Sequence, residues 1–158
     1  MTLFAPEPHL KLSGIAIALA EVLEHSNRPN EAYETYSTAL AQLRAAQDAG
    51  EELSDRERMR GVAIAHRLGE MAEVQQRTPE EVERFLTFAV EEMLRVFKHM
   101  PSLDGEGPKG KEKDTGAEAQ TGIMLAELEL PWWVSKTDVA APLEALGRFY
   151  GQESDKLE

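Results

Sequence analysis

The apolar positions Leu12, Ile15, Ala16, Leu19, Val22 and Leu23 recur at steps of three, with adjacent pairs, which keeps them on one side of a helix. Pro8 suits the first turn of that helix, and the polar run Ser26-Asn27-Arg28-Pro29-Asn30 ends it. Ala32, Tyr36, Ala39, Leu40 and Leu43 resume the pattern, so two helices form an αα-hairpin across about five turn residues. Gly50 is placed to close the second helix. Ser54-Asp55-Arg56-Glu57 spells a capping box, and Met59, Val62, Ala65, Leu68, Gly69 and Ala72 mark a third helix behind it. Thr78-Pro79-Glu80-Glu81 combines a second capping box with proline at the first helical position. A fourth helix follows, with Val82, Leu86, Ala89, Val90, Met93 and Phe97 on one face, and ends before Pro101.

The pattern then breaks. Ser102 to Gly116 holds one apolar residue among Gly, Lys, Asp and Glu, a composition that predicts a mobile loop. A short helix is expected over 117–128, then an extended connector through Pro131-Trp132-Trp133. The last helix is expected to start near Asp138 and to carry Leu143, Leu146, Gly147, Phe149 and Tyr150, with Pro142 pushing its regular part towards the C-terminal side. No period-two pattern occurs, so the fold class is all-α. The chain 1–158 reads as one domain: repeat 1 over about 10–49, repeat 2 over about 55–100, the loop over about 102–116, a short helix and connector over 117–137, and a half repeat over 138–152.

The hairpins copy one design. Leu19-Ala20 stands thirteen residues before Ala32, and Leu68-Gly69 stands fourteen before Val82. Each is followed by a large residue, Tyr36 or Leu86, and then by a small-plus-apolar pair, Ala39-Leu40 or Ala89-Val90. Leu143, Leu146-Gly147 and Tyr150 repeat the first half of the unit. This spacing resembles the tetratricopeptide repeat. The resemblance implies a right-handed α-solenoid of two hairpins plus a half unit. It also implies that Ala32 lets the two helices of a hairpin approach closely, while Tyr36 packs into the neighbouring unit. Val82 replaces the usual small residue, which predicts a splayed second unit. The whole arrangement, a divergent repeat, a charged insertion and then LPWWVSKTDVAAPLEALGRFY, resembles the fungal adaptor subunit of the mitochondrial inner-membrane AAA protease. That family's domain passes substrates to a protease and is anchored by a membrane span, so the resemblance implies a protein-binding adaptor at the mitochondrial inner membrane.

Composition narrows the alternatives. The 158 residues contain no cysteine, which excludes disulfides, zinc knuckles and thiol chemistry. Seventeen basic against 29 acidic residues give a net charge of −12, which argues against phosphate-backbone binding and permits a basic partner. The run Ile15 to Leu23 is about half of the roughly 20 residues a membrane span needs. The N-terminus lacks the basic and long apolar regions of a secretory signal. The chain therefore reads as a soluble body cut from something larger, without membrane contact of its own.

The first helix of each unit lines the concave face in the repeat architecture. The matching stripes are Ile17, Glu21, Glu24 and His25, then His66, Glu70 and Glu73, then Glu144 and Arg148. Five glutamates, one arginine and two histidines would make an acidic groove for a basic or amphipathic segment; ordinary solvated helix faces are the bland alternative. The grooves of this repeat family that clamp acidic chaperone tails use lysine and asparagine. Ile17, Glu21, His66, Glu70 and Glu144 stand at those places here and would repel a carboxylate. A cytosolic co-chaperone scaffold is the second reading, and a small helical enzyme the third. The chain has no phosphate loop and no HExxH, and Glu21–Glu24 and Glu70–Glu73 lack the histidine of a carboxylate metal site. No catalytic residue, cofactor or metal is therefore expected. Trp132 and Trp133 are expected to pin the connector to the helices, with a partner contact as the other reading. Leu143, Leu146 and Tyr150 lack their usual partner helix and predict an edge covered by a second copy or by residues 117–128.

Overall fold

The computed structural model describes residues 7–99 and 130–157, in which all regular structure is helical. The helices are α1 (Pro8–His25), α2 (Pro29–Asp48), α3 (Asp55–Val74), α4 (Pro79–His99) and α5 (Lys136–Asp155). The predicted loop over 102–116 and the short helix over 117–128 lie outside the described residues.

The ends of these helices are written locally. α1, α2 and α4 each open on proline, whose missing N–H would have had no helical partner there. Three helices close on the same C-terminal turn, in which one residue turns left-handed and the next N–H reaches back five residues. The left-handed residues are Asn27, Gly50 and Gln76, with φ of 58°, 84° and 54°. Arg28 N–H donates to Leu23 O at 2.8 Å, Glu51 N–H to Ala46 O at 3.0 Å, and Arg77 N–H to Ala72 O at 2.9 Å. The inter-helix turns hold three residues in the first hairpin and four in the second, so the first is shorter than the five expected.

The box at Ser54 forms in full: Glu57 N–H donates to Ser54 Oγ at 3.1 Å and Ser54 N–H to Glu57 Oε2 at 2.9 Å. At Thr78 only the forward half forms, from Glu81 N–H at 3.4 Å. The Glu81 carboxylate accepts instead from the Tyr33 hydroxyl and from Arg77. A further box, Ser135 with Asp138, starts α5 two residues before the expected point. Pro142 sits inside α5, buried, and the helix runs through it to Asp155, so the expected displacement does not occur.

Each helix packs against its neighbours in sequence, and α3 also touches both α1 and α5. α1 and α3 run the same way. Their N-terminal ends meet where Glu57 Oε1 accepts from His9 N–H, and their C-terminal halves meet where Arg67 holds Glu24. The core is continuous through the hairpins: Leu40 and Leu43 from α2, Ile64 and Leu68 from α3, Leu86, Met93 and Val96 from α4, and Val139 and Phe149 from α5. Each full burial of such a side chain stabilises by about 1.5–3 kcal/mol. Two carboxylates are buried, Glu57 and Glu92; Glu92, 1 % exposed, accepts from Gln47 of α2, Arg58 of α3 and Arg95 of its own helix at 2.8, 3.2 and 3.3 Å.

Ala32 is fully buried between the helices of the first hairpin. In the second hairpin the close approach is made elsewhere. Val82 is buried at position 82, and a Cβ on Gly69 would lie 2.5 Å from Leu86 Cδ2, so Gly69 is the small residue that seats α4 on α3. The apolar pattern of α1 behaves differently from expectation. Leu12, Ile15, Leu19 and Val22 are all more than half exposed, because α2 and α3 cover only the opposite side of this edge helix. At the other edge Leu143 and Leu146 are half-buried against the core, and Tyr150 donates to Glu83 at 2.7 Å.

Candidate functional site

The parallel course of α1, α3 and α5 leaves a groove of about 680 Å³ between them, with the connector before α5 as part of its wall. Ile17 of α1, Ala63 of α3, and Ala141 and Pro142 of α5 give it an apolar middle. Towards the N-terminal ends stand Arg56 and Arg60 with Trp133, Thr137 and Asp138. Towards the C-terminal ends stand Glu21, Glu24, His25, His66 and Arg67, with Tyr36 reaching in from α2.

Of the stripe residues singled out from the sequence, Ile17, Glu21, Glu24, His25 and His66 line this groove together. Glu70 stands beside it, 3.0 Å from Arg67 and 3.9 Å from His66. Glu73 and Arg148 pair with each other at 3.4 Å and tie α3 to α5. Glu144 is exposed on α5 away from the groove lining.

The charge differs from the acidic lining that the stripes implied. Arg56, Arg60 and Arg67 stand against Glu21, Glu24 and Asp138, so the two signs balance. Stepping by four residues from His66 missed Arg67, its neighbour, whose guanidinium donates to Glu24 at 2.6 Å and to Glu70 at 3.0 Å. Burial works against the charge of Arg67, yet its bonds to Glu24 and Glu70 outweigh that and hold its pKa above the ordinary arginine value. With Glu24 and Glu70 engaged, the repulsion of carboxylates expected at this end is weakened.

Two tyrosines of α2 work at the inter-helix boundary. Tyr36 lies under the groove, its hydroxyl 3.5 Å from Glu24; burial and then the Glu24 charge push its pKa up to about 12. Tyr33, which the repeat pattern does not mark, donates to Glu81, carries Arg77 over its ring at 3.7 Å and meets Phe85 edge-on at 6.3 Å. Its pKa is also pushed up to about 12, by burial first and then by the bond to Glu81. The tryptophan pair divides: Trp133 packs on the core and walls the groove, whereas Trp132 is 90 % exposed. The expectation that both pin the connector holds for Trp133 alone; the connector is not extended here as expected, because the two tryptophans are the central residues of a turn closed by Val134 N–H donating to Pro131 O at 2.9 Å.

Among the described residues no three His, Asp or Glu side chains gather as metal ligands would, and no helix is long and apolar enough to cross a membrane. No protein-family model matches the chain, nor does any curated protein or solved structure.

Proposed function

We propose that this chain is a protein-binding scaffold of the tetratricopeptide type, an α-solenoid of two hairpins and a half unit whose groove receives an amphipathic segment of another protein. The observation that carries the reading is the groove itself: an apolar middle of Ile17, Ala63, Ala141 and Pro142 between charged ends of both signs. Such a lining favours a segment with apolar anchors flanked by charges over a purely basic one. Trp132, exposed on the connector beside the groove wall, is the kind of aromatic that anchors interfaces. The resemblance of the repeat–insertion–LPWWVSK order to a protease adaptor assigns the bound segments to client proteins at the mitochondrial inner membrane. A cross-linked pull-down on mitochondrial and cytosolic extracts tests that assignment, and enrichment of cytosolic chaperones alone would move it to a co-chaperone scaffold.

The groove is tested directly through the two tryptophans of the chain, both in the connector. Titration with three synthetic peptides, one amphipathic with both charges, one purely basic and one purely acidic, is followed by tryptophan emission. The amphipathic peptide is expected to shift the emission at the lowest concentration, and Trp132→Ala to weaken its binding without lowering thermal stability. If none of the three moves the emission, the groove is not a peptide site.

A further inference from the structure

We propose that the groove recognises a segment with opposite charges at its two ends: an acidic residue seats against Arg56 and Arg60, a basic residue against Glu21, and an apolar residue between them over Ile17 and Ala63. This deepens the peptide reading of the groove, on which it rests, by giving each charge of the bound segment its own seat. The seats follow from which lining charges are already satisfied. Arg67 is held by Glu24 at 2.6 Å and by Glu70 at 3.0 Å. Arg56 has only an exposed contact with Glu7 at 3.4 Å. Arg60 and Glu21 both line the groove and form no ion pair among the described residues. Arg60 is also half-buried. A cation held partly out of water without a counter-ion costs free energy, and a carboxylate on the bound segment relieves that cost. Asp138 shares this end, but its carboxylate is engaged at the start of α5, where it accepts Ser135 N–H at 2.9 Å and faces the positive end of the helix dipole.

The distance between the seats sets the spacing in the ligand. α1 and α3 run the same way, and the Arg67–Glu24 pair fixes which of their residues lie level. Glu21 stands three residues before Glu24, whereas Arg60 and Arg56 stand seven and eleven before Arg67. At about 1.5 Å per residue the two arginines therefore lie roughly 6 and 12 Å from Glu21, towards the N-terminal ends of the helices. Two residues four positions apart cover about 6 Å in a helix and about 13 Å in a strand. A segment with acid and base at that separation reaches both seats in either conformation. Along this stretch Ala63 of α3 and Ile17 of α1 present no charge and suit an apolar side chain. A segment with two like charges satisfies one seat and is repelled at the other, whereas one with opposite charges satisfies both.

A double-mutant cycle between groove and ligand tests the seats. The probe is a capped synthetic peptide with one glutamate and one lysine four positions apart around a leucine, titrated into the full chain and followed by tryptophan emission. On the wild type, replacing the peptide's glutamate by glutamine is expected to weaken binding about three- to tenfold, and on Arg60→Met by less than about twofold. Replacing its lysine by glutamine is expected to behave in the same way towards Glu21→Gln. The crossed combinations should add independently, because each then touches a different seat. Neither Arg60 nor Glu21 holds an ion pair among the described residues, so both variants should keep the wild-type helical content and thermal midpoint. A glutamate coupled to Arg67 in place of Arg60 would overturn the seats, and so would effects that add in every combination; the peptide reading of the groove would survive both results. A peptide that leaves the wild-type emission unmoved would overturn that reading and the seats with it.

Discussion

Glu57 of α3 accepts the backbone N–H of His9 at 3.0 Å across forty-eight residues of sequence. The same carboxyl oxygen accepts Leu10 N–H at 3.3 Å, and its other oxygen accepts Ser54 N–H at 2.9 Å. One carboxylate, 2 % exposed, thus caps the first turns of two helices and fixes how the first hairpin enters the second. α1 has no side-chain cap from Glu7, the residue before its first turn, so this distant carboxylate stands in for one.

Removing it leaves several backbone donors short of a partner in a place with little water. Glu57→Ala is expected to lower unfolding free energy by about 2–4 kcal/mol, read as a lower urea midpoint. Glu57→Gln keeps an acceptor oxygen without the charge and is expected to cost roughly half as much. Equal losses for the two variants would show that charge, not donor satisfaction, governs the site.

The glycines of α3 separate two physical effects. A Cβ at Gly61 would meet Leu43 Cδ1 at 3.6 Å, ordinary contact, so Gly61→Ala is expected to stabilise by about 0.5–1 kcal/mol through the restricted unfolded chain. A Cβ at Gly69 would lie 2.5 Å from Leu86 Cδ2 and 2.9 Å from its Cγ, and Leu86 is 2 % exposed with little room to turn away. Gly69→Ala is expected to destabilise by about 1–3 kcal/mol despite its better helix propensity. Trimming the neighbour in Gly69→Ala with Leu86→Val should recover part of that loss in the same denaturation assay.

Much of this was legible where one segment decides its own structure. Ser54…Glu57, Gly50 and the apolar period of α3 each state a local rule, and each rule holds. Ser135…Asp138 carries the same capping logic, and it starts α5 two residues before the Asp138 that the apolar pattern suggests. Burial was less legible. Leu12, Ile15, Leu19 and Val22 have the same period as the buried positions of α3, and periodicity tells which side is apolar, not whether anything lies on it. The groove was half legible: a single stripe per helix located Ile17, Glu21, Glu24, His25 and His66, but a groove wall is wider than one stripe. Arg56, Arg60 and Arg67 on the adjoining stripe of α3 cancel the charge that those residues suggested. The diversion of Glu81 to Tyr33 depends on a pair forty-eight residues apart, and no local pattern reports it.

Alkaline pH reads out the α2 boundary. Tyr33 and Tyr36 both have folded pKa values of about 12 against about 10 for a free tyrosine. The folded state therefore holds these protons more tightly than the unfolded chain. The associated stability is fully present below pH 10 and falls as pH rises from about 10 towards 12. Tyr150, bonded to Glu83, is shifted the same way, so all three tyrosines of the chain should ionise late in an ultraviolet titration. Tyr33→Phe is expected to lower stability at neutral pH, since it leaves Glu81 without that donor, and to flatten the alkaline decline. An unchanged slope in the variant would assign the decline to Tyr36 or to general charge repulsion.

Arg67 governs the sign of one end of the groove. It lies between Glu24 of α1 and Glu70 of its own helix, 44 % exposed, and without it these carboxylates would face Glu21 with no fixed cation between them. Because solvent screens so open a network, Arg67→Met is expected to cost only about 0.5–1 kcal/mol of stability, and less in high salt. Its larger effect falls on recognition. With the guanidinium gone, the lining turns acidic, and a basic peptide is expected to bind about three- to tenfold more tightly while an acidic one weakens by a similar factor. Glu24→Gln should shift both affinities the opposite way, and combining it with Arg67→Met should return them towards the wild-type balance. Peptide titrations at low and high salt decide the point: affinities that ignore both substitutions would place peptide binding outside this end of the groove.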